Sequence, residues 1–303
     1  MKRSYASLLL CTMVLLASCG KSAPLPAFDV PEERVEGADA TVLPERIIVI
    51  GPHLTECVFA LGAGGRVVGV DTFSDYPPAT RDLPKVGAYI DADLETITIL
   101  EPDLLIVAGK PGHIMEFAAL RSIPVLSIHM DSLATINEGL VQLGEALGCP
   151  EHGEALRAEI QSELNAVREL IAGQLRPKVL IVTGRPQHNL NTIFTVGGKS
   201  FVSELIQAAG GDNIYQDAPE AYFEASKEDL VIKAPEVIVE FHAGEQLSEK
   251  KQARFIADWD RLPSLPAVQN KRIHLVTESH TLRPGPRVKE LVWHFTRLLH
   301  PSV

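Results

Sequence analysis

Four histidines stand where an imidazole could meet a ligand. His53 follows the apolar run from Ile47 to Ile50 at a turn, and His188, His242 and His280 fall in loops. A neutral imidazole can ligate iron, cobalt or zinc. Arg185 in Thr-Gly-Arg-Pro and Arg283 in Leu-Arg-Pro-Gly-Pro-Arg offer guanidinium groups for carboxylates or phosphates, and Lys110 counts with them as a candidate ligand contact. Nothing in the spacing of these residues suggests catalysis. The chain has no Gly-x-Ser-x-Gly elbow, no P-loop, no Gly-x-Gly-x-x-Gly after its first strand and no tight His/Cys/Asp zinc signature. A receptor for bare zinc or manganese would need three or four inward His, Asp or Glu ligands and usually a histidine-rich loop, and no such loop is present. The expectation is ligand capture with no catalytic residue, no cofactor and no resident metal.

The elements that must position these residues come in echoing pairs. Arg46-Ile-Ile-Val-Ile-Gly51 matches Lys178-Val-Leu-Ile-Val-Thr-Gly184, each a β-branched apolar run closed by glycine, which reads as a buried strand. A helical run occurs in each half, Leu54 to Gly62 and Phe201 to Gly210, and Glu56 and Glu204 each precede the closing glycine by six residues. Further on, Glu95 and Glu228 each open a helical stretch that a proline, Pro102 or Pro235, ends seven residues later before another strand. Between the halves, Leu156, Ile160, Leu164, Val167, Leu170 and Ile171 recur at three- and four-residue intervals. That pattern predicts one amphipathic helix from Glu151 to Leu175, about 37 Å long at about 1.5 Å per residue. The expected fold is α/β, two similar lobes with central, mostly parallel sheets joined by one long backbone helix. The expected divisions are 46–149 for the N-terminal lobe, 150–176 for the bridge and 177–303 for the C-terminal lobe.

The beginning of the chain reads differently. Met1-Lys2-Arg3, an apolar run to Ala17 and then Ser18-Cys19-Gly20 have the form of a signal peptide over 1–18, too short to span a membrane. Residues 19–45, rich in proline, alanine and acids, read as a tether that cannot bury enough to fold. Removal of Lys2 and Arg3 with the leader would take the formal charge from −11 to −13, which argues against nucleic-acid binding. Cys57 and Cys149 would remain beside Cys19; an exported chain permits a disulfide between them, but a small core residue is the expected role of Cys57.

Leu16-Ala-Ser-Cys19 resembles the lipobox of bacterial lipoproteins, which implies acylation of Cys19 and attachment to a membrane, on the periplasmic or outer cell-surface side, through lipid. From residue 46 to 301 the order of motifs resembles the cobalamin, haem and ferric siderophore class of ABC-importer substrate-binding proteins. The likeness is carried by the first strand and helix, Gly69-Val-Asp-Thr-Phe-Ser-Asp-Tyr76-Pro-Pro78, Leu94-Glu95 through Pro102-Asp103, Ser200 through Asn213, Arg283-Pro-Gly-Pro-Arg287 and Leu299-His-Pro301. The resemblance implies that Glu95 and Glu228 dock on arginines of permease subunits. It also implies that Phe73, Tyr89 and Tyr222 line an inter-lobe cleft for a corrinoid or a ferric siderophore, broad rings suiting a flat macrocycle. Cobalamin binders favour tyrosine and tryptophans at these positions. Haem-binding relatives place tyrosine directly after glycine, whereas here the order is Gly87-Ala88-Tyr89. A monomer is expected. The other readings are a haem or free-metal receptor and a lipoprotein without a transport role.

Overall fold

The computed structural model describes residues 43–303. The leader, Cys19 with its expected lipid and nearly all of the tether lie outside the described residues.

The N-terminal lobe is built on β1 (Ile47–Ile50), β2 (Val67–Val70), β3 (Leu104–Ala108) and β4 (Val125–Ile128). All pair in parallel, in the order β2-β1-β3-β4. Parallel strands need crossovers that cover both sheet faces, which is why Ile47-Ile-Val-Ile50 is apolar throughout and fully buried. The crossovers carry α1 (Pro52–Ala60), α2 (Leu94–Ile99) and α3 (Gly112–Arg121), and α4 (Leu133–Ala146) follows β4.

The bridge is α5 (Pro150–Leu170), 21 residues and so about 31 Å long. It stops before the expected Leu175, because the chain turns at Gly173, whose φ of 80° lies in the left-handed region. On one side it packs on α4 at a glycine crossing, where a side chain on Gly153 would come within 2.7 Å of the Leu140 carbonyl oxygen. On the other it meets α10 (Val288–Leu299), joined by Lys289 to Glu159 at 2.5 Å and by the Trp293 indole N–H donating to Glu163 at 2.6 Å.

In the C-terminal lobe, β5 (Lys178–Gly184), β9 (Val237–Phe241) and β10 (Ile273–Val276) run parallel and repeat the β1-β3-β4 arrangement. The place that β2 holds beside β1 is taken here by β6 (Ile193–Val196), which runs antiparallel to β5. Only eight residues separate β5 from β6, fewer than a parallel crossover needs, so the chain folds straight back. Two short strands, β7 (Asp212–Asn213) beside β5 and β8 (Tyr222–Ala225) beside β6, complete a mixed sheet. Helices α6 (Phe201–Ala208), α7 (Lys227–Lys233), α8 (Glu249–Asp258) and α9 (Pro266–Gln269) surround it. Cys57, buried in α1, and Cys149 are both free thiols, and burial pushes the Cys57 thiol well up. No helix among the described residues is long and apolar enough to cross a membrane.

Candidate ligand-binding site

The carboxyl ends of the parallel strands, where open α/β sheets receive ligands, bring part of the expected set together. His53 is the second residue of α1 and sits at the end of β1. Its ring lies over Gly51, 3.4 Å from where a side chain there would begin. Asp71 at the end of β2 accepts from the Gly51 and Phe73 amides at 2.9 and 2.7 Å and from the Ser74 hydroxyl, which fixes the turn that presents Phe73. Phe73 is 62% exposed, Tyr89 43% and Tyr222 54%; the first two follow β2 in the N-terminal lobe, whereas Tyr222 belongs to the C-terminal lobe. The Tyr89 hydroxyl stands 3.8 Å from the point a side chain on Gly109 would occupy, so it hangs over the end of β3 beside the exposed Lys110. Tyr222 opens β8 on the C-terminal lobe; partial desolvation of its phenol and the Asp131 carboxylate of the opposite lobe raise its pKa. Ile90, 84% exposed beside Tyr89, and Tyr76 were not foreseen.

Arg283 has partners the sequence did not show. Its guanidinium binds across the lobes, to Glu56 at 3.2 Å, to Asp75 at 2.6 Å and to the Phe73 carbonyl. Glu56, 1% exposed on α1, also takes Arg287 through a double bond pair of 2.7 and 2.5 Å, and Arg287 stacks over the Tyr76 ring at 4.0 Å. A buried carboxylate has to be paired, and the cations nearest to it come from the loop after β10. Glu204 performs the reciprocal task, accepting from the Leu133 amide of the N-terminal lobe at 2.6 Å beside the bond from Phe201 N–H to the Asp131 carbonyl. The two glutamates that the sequence places six residues before a glycine thus both fasten the lobes together. The echo was visible in the sequence; their function was not.

Arg185, His188 and His242 are likewise engaged inside the C-terminal lobe. The Arg185 side chain is wholly buried, ion-paired with Glu240 and Asp258 at 2.9 Å each and lying over the Phe255 and Trp259 rings. It holds the sheet to α8 and is not available to a ligand. His242 is buried between Glu240 at 3.0 Å and Glu245 at 3.2 Å. Burial favours its neutral form, but those two carboxylates outweigh burial and raise its pKa. His188 bonds Asp258 at 3.0 Å and leaves its outer face exposed. His280 lies 3.8 Å from Glu290, with burial and then Arg287 lowering its pKa to about 4.

Glu95 and Glu228 occupy the first turns of α2 and α7. Asp93 caps α2 by accepting from the Glu95 and Thr96 amides, and Ser226 caps α7 by accepting from Asp229. With capping done by neighbours, both glutamates point outward and are exposed. One turn on from each stands an exposed isoleucine, Ile99 at 70% and Ile232 at 81%. The sequence holds this acid-isoleucine pair at equal spacing in both halves, a signal passed over by attention to the acids alone.

Comparison with known proteins places the fold. The chain is 30% identical over 257 residues to the vitamin B12-binding protein of Vibrio campbellii, covering 83% of this chain and 89% of the relative. The crystal structure of the periplasmic vitamin B12 binding protein BtuF of Vibrio cholerae superposes with a TM-score of 0.69 at 27% identity, over 84% of this chain and 96% of that one. A periplasmic heme binding protein from Pseudomonas aeruginosa gives 0.75 at 25% identity, over 86% and 94%. These relatives are binding proteins, not enzymes. The periplasmic binding protein family model matches residues 47–279, and with two α/β lobes on a single bridging helix, the chain belongs to that family.

Proposed function

We propose that this chain is the substrate-binding lipoprotein of an ABC importer and that it captures a corrinoid of the cobalamin type between its lobes. The observation that carries the reading is the exposure of Phe73, Tyr89 and Tyr222 in a chain related to vitamin B12-binding proteins. Rings of this size lose about 150–250 Å² of surface each on burial, which suits a broad, largely apolar macrocycle. Fastened by Glu56 and Glu204, the lobes would close only slightly over it. The same body would present Glu95 with Ile99 and Glu228 with Ile232 to two equivalent sockets on the permease, each basic at its centre to pair the carboxylate and apolar beside it. Cys19 would carry the lipid, and the protein would act as a monomer.

Calorimetry of the purified protein with cyanocobalamin, cobinamide, haemin and a ferric siderophore tests the ligand. Tight binding of a corrinoid supports the reading; binding of the siderophore alone overturns it. Haem is the second reading, favoured by the fit to the heme binding protein. Mass spectrometry of the membrane-derived protein, locating acyl mass on Cys19, tests the anchor.

A further inference from the structure

We infer that the imidazole of His53 is the axial ligand this protein supplies to the metal of a tetrapyrrole held between the lobes, and that it thereby selects macrocycles with an exchangeable axial position. The inference rests on the corrinoid or haem reading of the cleft and adds a residue and a ligand class to it.

Four histidines were candidates, and their surroundings separate them. His188 is held by Asp258, His242 by Glu240 and Glu245, and His280 stands beside Glu290. The His53 ring alone of these has no hydrogen-bond or ion-pair partner among the described residues. It is partly exposed, at the carboxyl end of β1 and between the turns that follow β2 and β3. An imidazole binds a metal in its neutral form, and as the second residue of α1 His53 stands where the helix dipole disfavours a cation.

The residue is also held at the lobe boundary. The backbone of Gly285 in the opposite lobe packs against His53, with the carbonyl oxygen and Cβ of His53 only 3.3 and 3.6 Å from the point where a side chain would begin. The opposite lobe thus fixes the backbone and Cβ from which the imidazole extends. One donor is enough for this task, because a tetrapyrrole already surrounds its metal with four nitrogens. A bare ion would need several protein donors, and no group of three or more His, Cys, Asp or Glu side chains among the described residues is placed to hold one. A hexadentate ferric siderophore offers no vacancy for an imidazole.

The test is visible absorption and calorimetry on the full chain with aquocobinamide, haemin, cyanocobalamin and ferrichrome. Wild-type protein is expected to shift the spectrum of aquocobinamide or haemin as free imidazole does, and the macrocycle that shifts names the source. His53→Ala and His53→Gln should lose that shift and bind about ten- to a hundredfold more weakly, the range typical of disturbing a metal's ligand environment. Added imidazole should restore the spectrum in His53→Ala. Cyanocobalamin, with both axial positions filled, should bind wild type and variants alike. A macrocycle bound without the shift, or a shift that survives in both variants, overturns the role of His53 while leaving the cleft reading intact. Binding of ferrichrome and of no tetrapyrrole overturns both.

Discussion

Replacing Glu56 by alanine leaves the Arg287 guanidinium without a carboxylate in a site where its side chain is only 12% exposed. Arg283 keeps Asp75 at 2.6 Å, so one cation is stranded, not two. Breaking a buried pair costs about 3–5 kcal/mol, and with one partner stranded and partly hydrated the lower end applies, about 3 kcal/mol. In a domain of this size each kcal/mol moves Tm by about 2–4 °C, so a fall of about 6–12 °C is expected. Asp75→Asn is the internal control. It touches Arg283, the other partner of Glu56, through a side chain that is 58% exposed, and an exposed pair contributes about 0–1 kcal/mol. The double replacement Glu56→Leu with Arg287→Met, which removes both charges and keeps apolar volume, should recover most of the loss. The assay is thermal unfolding followed by circular dichroism, with urea titrations to give the free energies. A fall below about 2 °C for Glu56→Ala would refute the argument by showing that water screens the pair. A double variant as unstable as the single would refute it differently, by assigning the loss to packing.

Glu95→Ala with Glu228→Ala should abolish uptake in cells while calorimetric ligand affinity stays at the wild-type value. Ile99→Ser with Ile232→Ser should weaken uptake with binding again unchanged; a loss of binding in either pair counts against a docking role. Truncating Phe73, Tyr89 or Tyr222 to alanine should each weaken corrinoid binding by about 1 kcal/mol or more, about fivefold to tenfold in Kd. Because the folded-state pKa of His242 is raised above 6.5, its contribution to stability is complete below that pH and is lost as pH rises through the folded value. Urea midpoints should therefore fall more steeply above pH 6.5 in wild type than in His242→Gln, and parallel curves would remove His242 from the account.

The strands and helices were readable because their signals are local. Ile47 to Ile50 and Lys178 to Gly184 are continuous apolar runs, and Pro102 and Pro235 end their helices where the chain must turn. The antiparallel β6 escaped notice because its direction depends on connection length rather than composition. The candidate site was less readable. Phe73, Tyr89 and Tyr222 are exposed, but Arg185 and Arg283 look in sequence like free cations. Their partners, Asp258 and Glu56, lie 73 and 227 residues away, and no local pattern reports a contact at that range. His53 looked like one histidine of four until the carboxylates beside the other three were known.

The topology of the two lobes also sets an order of assembly. All four strands of the N-terminal sheet come from one stretch, Ile47 to Ile128, so that lobe can condense as soon as this part of the chain is available. The C-terminal lobe waits for α10, whose Leu291, Val292, Phe295 and Leu299 fill its core. Arg287, at the threshold of α10, arrives at the same late moment and is the residue that seals Glu56. A chain ending at residue 286 should show a protease-resistant first lobe and a digestible second one. A lesion at Arg287, near the end of the chain, therefore acts at Glu56, more than two hundred residues upstream.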